Sequence, residues 1–151
     1  MKTSQRGIDL IKEFEGYSER VYMCAGGKYT IGYGHTSGVE PGDTCTREQA
    51  EEYLRQDLVD AEETIEALVN VPLSQCQFDA LVSLVYNIGS GNFYSSTIRR
   101  VINCKISDPE EYRKSWMMWV KSKGKVLKGL VRRREAEYKL FAEVYEYSKG
   151  Y

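Results

Sequence analysis

Phe14-Glu15-Gly16, then Cys24, then Thr30-Ile31-Gly32-Tyr33-Gly34-His35-Thr36 is where the chain changes its period. Upstream, Ile8, Ile11 and Phe14, with Leu10 beside them, make one apolar stripe at helical spacing. This predicts a helix that opens near Ser4 and stops at Gly16. Downstream, Val21-Tyr22, Gly26-Gly27 and Tyr29 to Gly34 read as short strands joined by a glycine turn. Three chemically able side chains fall on that seam. Glu15 ends the helix beside Phe14. A carboxyl against apolar surroundings has its charged form disfavoured, so its pKa rises and it can keep a proton for a leaving oxygen. Thr30 sits on a strand among Gly and Tyr neighbours, where its hydroxyl can position a water. Cys24 lies between them on the hairpin. Each also has an ordinary reading: a solvated helix-end Glu, a small core thiol, a strand Thr.

Working outward, Pro41-Gly42-Asp43 is a second turn. Thr46 with Gln49 makes a capping box, and one long helix is expected over about 46–69. Ala50, Leu54, Leu58, Ala61, Ile65 and Leu68 form its stripe; acidic residues line its other faces. A narrow stripe on a long acidic helix suits a connector between two lobes. Pro72 stops it. Ser74 caps the next helix, where Phe78, Leu81, Val82, Leu84, Val85 and Ile88 are apolar nearly all round, as in a buried central helix. Gly89-Ser90-Gly91-Asn92 is expected to break it, with further helices over 93–104, 109–121 and 130–146. Trp116, Trp119, Tyr138 and Phe141 would fill that lobe. The class is α+β in a single domain over 1–151: a small β-hairpin lobe over about 15–60, the connecting helix, and a helical lobe over about 70–151 that includes the first helix.

The chain has 151 residues and 17.3 kDa, one ordinary domain that should bury roughly 68–70% of its unfolded surface. With 42% apolar and 28% charged residues and 3 prolines, it is not disordered, collagen-like or a coiled-coil rod. No apolar run of about 18 residues exists, so no membrane-spanning helix is expected. Met1 to Gly7 has no apolar segment behind it and reads as no signal peptide. The expected location is the cytoplasm, unless something else lets the protein out. Cys24, Cys45, Cys76 and Cys104 lack a Cys-x-x-Cys spacing, and His35 is the one histidine. Free thiols are therefore expected, with no zinc site and no cofactor. Residues 1–96 carry 7 Lys+Arg and 15 Asp+Glu, a net of −8; residues 97–151 carry 14 and 7, a net of +7. The basic third is either a surface for an anionic polymer or a solvated helix face.

The spacing Glu, eight residues, Cys, five residues, Thr, inside Phe-Glu-Gly … Tyr-Thr-Ile-Gly-Tyr-Gly-His-Thr, resembles the phage-type lysozymes, the endolysin family related to phage T4 lysozyme. Gln56-Asp57-Leu58, Gln77-Phe78-Asp79-Ala80-Leu81, Tyr86-Asn87-Ile88-Gly89 and Gly129-Leu130-Val131-Arg132-Arg133-Arg134-Glu135 are similar to that family in the same order, over nearly the whole chain. The resemblance implies hydrolysis of the β-1,4 bond between N-acetylmuramic acid and N-acetylglucosamine in peptidoglycan, on a two-lobed lysozyme fold with the cleft between the lobes. It implies Glu15 as general acid, Cys24 at the family's Asp-or-Cys position, and Thr30 as the holder of the attacking water. The family is regarded as inverting. The departure from Asp matters, because a free thiol is only a few per cent thiolate at pH 7. The two-carboxylate template of glycosidases therefore does not carry over directly.

Tyr86 matches a cleft-lining aromatic, and Thr36 and Ser96 match cleft-edge positions; these three are the candidate substrate-binding residues. His35 reads as structural, with Asp57 as partner. One arginine of Arg132-Arg133-Arg134 can face Glu15 across the cleft, the others being expected in solvent. Two rival classes are a non-catalytic wall-binding module with a degenerate site and a nucleic-acid binder using the basic third. Retained Glu15 and Thr30 argue against the first, and no nucleic-acid motif accompanies the second. The expected partners are the peptidoglycan substrate and, indirectly, a holin-type membrane protein that gives access to it. No nucleic acid is expected, and the chain is expected to be a monomer.

Overall fold

The computed structural model describes residues 1–148, with side chains through Glu143. Helix α1 (Gln5–Glu15) buries Gly7, Ile8 and Ile11 and ends where Gly16 takes φ +72°. Ser4 precedes it, but its side chain does not cap it. Both its N–H and its hydroxyl go to the buried carboxylate of Asp79, on α4 (Gln75–Ile88). That tether fixes α1 across α4. Gly7 sits at the crossing, where an added Cβ would come within 2.8 Å of Asp79 Cγ. Helix α1 thus packs chiefly on α4 and touches α2 and α8 as well.

The hairpin is β1 (Ser18–Met23) against β2 (Tyr29–Gly32), antiparallel, with Tyr22 opposite Thr30 and a bulge between Ser18 and Tyr22. After β2 the chain folds back on itself: Ile31 and His35 exchange both backbone hydrogen bonds at 2.9 Å. Gly32 and Gly34 take φ +64° and +91° inside that turn, values few residues but glycine adopt.

The expected connector is two helices, α2 (Arg47–Asp57) and α3 (Val59–Leu68), parted at Leu58. Leu58 N–H still bonds Leu54 and Glu62 N–H bonds Leu58, both at 2.9 Å, so this is a kink and not a loop. The apolar stripe Ala50, Leu54, Leu58, Ala61 and Ile65 runs through it buried and unbroken, which is why periodicity alone reads one helix. Both expected caps are present: Thr46 with Gln49, and Ser74 with Gln77, form reciprocal capping boxes. Thr46→Ala should lower stability by about 1 kcal/mol with lytic activity per folded molecule unchanged. Paired urea denaturation and lysis assays check this.

Helix α4 is buried from Phe78 to Val85 and packs against α1, α3 and α8 (Lys128–Ser148). Around it lie α5 (Ser90–Tyr94), α6 (Thr97–Asn103) and α7 (Pro109–Trp116), the last followed by a 3-10 turn at Met117–Trp119. Gly89 ends α4 as expected, but Ser90-Gly91-Asn92 open the short α5 rather than a loop. Residues 117–126 hold another difference. The expected helix over 109–121 stops at Trp116, and β3 (Lys121–Ser122) pairs with β4 (Lys125–Val126). Lys123 and Gly124 turn them, both at positive φ (51° and 79°), the requirement of a tight two-residue hairpin. Trp116 and Phe141 are fully buried with ring centroids 5.9 Å apart, and Trp119 and Tyr138 flank them half-buried. The helical lobe was expected to reach residue 151, of which 149–151 lie outside the described residues. Among the described residues no helix is long and apolar enough to cross a membrane.

Candidate active site

Three elements meet at Glu15: the end of α1, the turn after β2, and the first third of α8. Glu15 Oε1 accepts a hydrogen bond from Arg133 Nη1 at 2.7 Å, joining residues 118 apart in sequence. A Cβ on Gly34 would stand 3.6 Å from Glu15 Oε2 and 3.9 Å from the Tyr86 hydroxyl. The turn backbone therefore roofs the carboxyl, and only a glycine leaves that space open at φ +91°. The expected apolar setting is half met. Phe14 is adjacent, but the Arg133 guanidinium lies 5.9 Å over its ring and also grips the acid. Burial and the negative charges of Glu15 and Asp57 push the Tyr86 phenol well above its ordinary value, so it faces Glu15 as a neutral hydroxyl.

Cys24 and Thr30 come together on the hairpin. Cys24 N–H bonds the Lys28 carbonyl at 3.0 Å, and Gly27 N–H bonds the Cys24 carbonyl at 2.9 Å, which closes the turn around the half-buried thiol. The Thr30 hydroxyl first, then backbone amides at Lys28 and Gly26, hold the Cys24 thiol below its ordinary pKa. The same hydroxyl lies 3.0 Å from the Lys28 carbonyl. It has one proton, so it can serve the carbonyl beside a thiol or the sulfur beside a thiolate. All four cysteines are free.

His35 Nδ1 stands 2.8 and 3.0 Å from the two Asp57 oxygens, tying the turn to α2, and its ring stacks on Tyr53 at 4.5 Å. Burial pushes the Asp57 carboxyl above its ordinary 3.8, against the opposing pull of His35. The folded protein thus holds that proton more tightly than the unfolded chain. Asp57's contribution is present at acid pH and is lost as pH rises from about 3.8 through the raised folded value. Asp57→Asn should remove that decline. Melting temperatures of both proteins across that window check it: their difference should change with pH.

Of the substrate-binding candidates, Tyr86 borders Glu15, and Thr36 is exposed directly after His35. Ser96 is buried as the cap of α6, donating to the Phe93 carbonyl at 2.7 Å and accepting from Arg99 N–H. Arg132 is exposed, as expected. Arg134, also expected in solvent, is fully buried: Nη2 reaches Asn87 Oδ1 at 2.8 Å, and Nε lies 2.9 Å from Glu137 Oε1. Sequence reasoning passed over Glu137 and Ser83. The signal was there in the spacing: Arg133 and Arg134 stand four and three residues before Glu137, so both cations neighbour one anion on the helix.

The chain belongs to the phage lysozyme family, whose model matches residues 12–137. The endolysin of Acyrthosiphon pisum secondary endosymbiont phage 1 is 41% identical over 145 residues, covering 93% of this chain and 98% of the relative. The endolysin of Bacillus phage B103 is 42% identical over 144 residues and 93% of this chain, which spans about half (54%) of that relative's length. Among solved structures, the muramidase domain of SpmX from Asticaccaulis excentricus matches with TM-score 0.86 at 39% identity, covering 93% of this chain and 97% of that one. The protein is accordingly a glycoside hydrolase of the lysozyme type, an enzyme that lyses peptidoglycan.

Proposed function

We propose that the cleft hydrolyses the β-1,4 bond between N-acetylmuramic acid and N-acetylglucosamine, with Glu15 as general acid. The observation that carries this is the placement of the Glu15 carboxyl under the Gly34 turn, between Arg133 and Tyr86, with the Cys24–Thr30 pair on the adjoining hairpin. Glu15 gives its proton to the leaving sugar oxygen as positive charge builds on the ring. Thr30 holds the attacking water, and Cys24, thiolate-prone, accepts its proton or stabilises the ring's charge. Tyr86 lines the sugar path and Thr36 edges it, while the Ser96 hydroxyl stays with the α6 cap that it makes. Retention of Glu15 and Thr30, with a thiol tuned toward its anion, supports an active enzyme over a binding module. The enzyme acts as a monomer. It waits in the host cytoplasm and reaches the wall through a membrane lesion made by a holin-type partner. Muropeptide analysis of a digest tests the reading. New reducing ends on N-acetylmuramic acid are expected; ends on N-acetylglucosamine, or none, would overturn it.

A further inference from the structure

The carboxyl of Glu137, which the chemistry above does not use, is fully buried. It accepts from the Ser83 hydroxyl of α4, from Arg133 Nε at 3.3 Å, and sits beside Arg134, with Nε–Oε1 at 2.9 Å. Arg133 is 4% exposed and spans two carboxylates: Nη1 holds Glu15 at 2.7 Å while Nε holds Glu137, and Nη2 is pinned to the Ser83 carbonyl at 3.2 Å. Two buried cations thus face the buried Glu137 and the partly exposed Glu15.

We propose that Glu137 is a positioning residue for the acid: by taking part of the Arg133 charge and fixing its fork, it sets how far that cation favours the Glu15 carboxylate. This rests on the reading of Glu15 as general acid. The physical reason is a conflict in the site. Arg133 must be near Glu15 to orient it, yet a whole cation beside an acid favours its ionised form, which cannot donate a proton. Dividing the guanidinium between two carboxylates keeps the orientation and weakens the bias. A buried Arg133 without Glu137 would turn its full charge on Glu15. Other groups facing Glu15 are Tyr86 from α4 and the Gly34 turn, with Asp57 acting next to Tyr86 and Arg134 acting from α8. Glu137 itself is faced, among the described residues, by Arg133 and Arg134 from its own helix and Ser83 from α4.

The test is the pH profile of initial rate on soluble peptidoglycan fragments at low substrate, with melting temperature measured alongside. In Glu137→Gln the alkaline limb should move acidward by about one pH unit, roughly tenfold in rate at a fixed pH on that limb. Glu137→Asp keeps the charge and should keep the limb in place even where the melting temperature falls. Ser83→Ala deletes one oxygen that donates to Glu137, and should move the limb the same way by less. If Glu137→Gln does not fold, Ser83→Ala decides. An unmoved limb in the variant that folds overturns the proposal, as does a limb shift that follows melting temperature across all three. Glu15→Gln separates the two readings: an active Glu15→Gln enzyme sinks the acid assignment itself. An inactive one with an unmoved limb in Glu137→Gln sinks only the role of Glu137.

Discussion

Glu15→Gln should fold like the parent and lose lysis by about 10²–10⁴-fold, the range expected when a positioned general acid is removed. The amide has the size of the carboxyl, and its oxygen can still accept from Arg133 Nη1, which holds Glu15 Oε1 at 2.7 Å. The roof made by Gly34 stays unstrained, because no atom is added beneath it. What disappears is the acidic proton. A turbidity assay, with melting temperature as the folding control, checks both halves. Near-parental lysis by a folded variant would remove the mechanism.

The second large effect is expected at Cys24. Cys24→Ala should lose about 10²-fold or more, because Thr30 is left with a water but no basic neighbour. Cys24→Asp should remain active, since the family pattern admits either residue. The two should differ in pH response. A thiolate must form before it can act, so activity of the natural enzyme should fall as pH drops through the lowered thiol pKa. In Cys24→Asp that acid limb should lie further acidward, toward the ordinary carboxylate range near ~4. Native alkylation at neutral pH gives an independent reading. Cys24 should react ahead of Cys76, whose thiol is pushed up by burial and by Glu143, and lysis should fall in step. Modification of exposed Cys104 should leave lysis intact. Stoichiometric alkylation of Cys24 with unchanged lysis would show the thiol to be structural.

How much of this could be read from the chain depended on whether a feature was local. The Thr46 and Ser74 caps and the Gly16 stop each rest on residues within a few positions of one another, and each is where the sequence puts it; the strand from Tyr29 is too, but it ends at Gly32, where the chain turns back. His35 was legible as structural, but its partner Asp57, one of 22 carboxylates, was legible only alongside the family resemblance that Gln56-Asp57-Leu58 helps carry. The kink at Leu58 was hidden by an apolar stripe that crosses it without a change of face. The β3–β4 hairpin was hidden because two residues on each side of Lys123-Gly124 are too few to show alternation. The buried charges were missed for a different reason. Arg134 and Glu137 read as surface residues singly, and only as a pair, with Ser83 from a distant helix, can they leave water.

The crossing of α1 over α4 also bears on events during translation. As the nascent chain leaves the ribosome, α1 emerges first, yet Asp79 and the α4 surface that hold it are made tens of residues later. Arg133, which fixes Glu15, follows after 118 residues. Glu15 therefore lacks that grip on any chain that has not yet reached Arg133, however well its hairpin has folded. A truncated product that stops before α8 carries Glu15, Cys24 and Thr30 and still lacks the clamp on its acid. The order of synthesis thus delays the Arg133 grip on Glu15 until α8 begins to form.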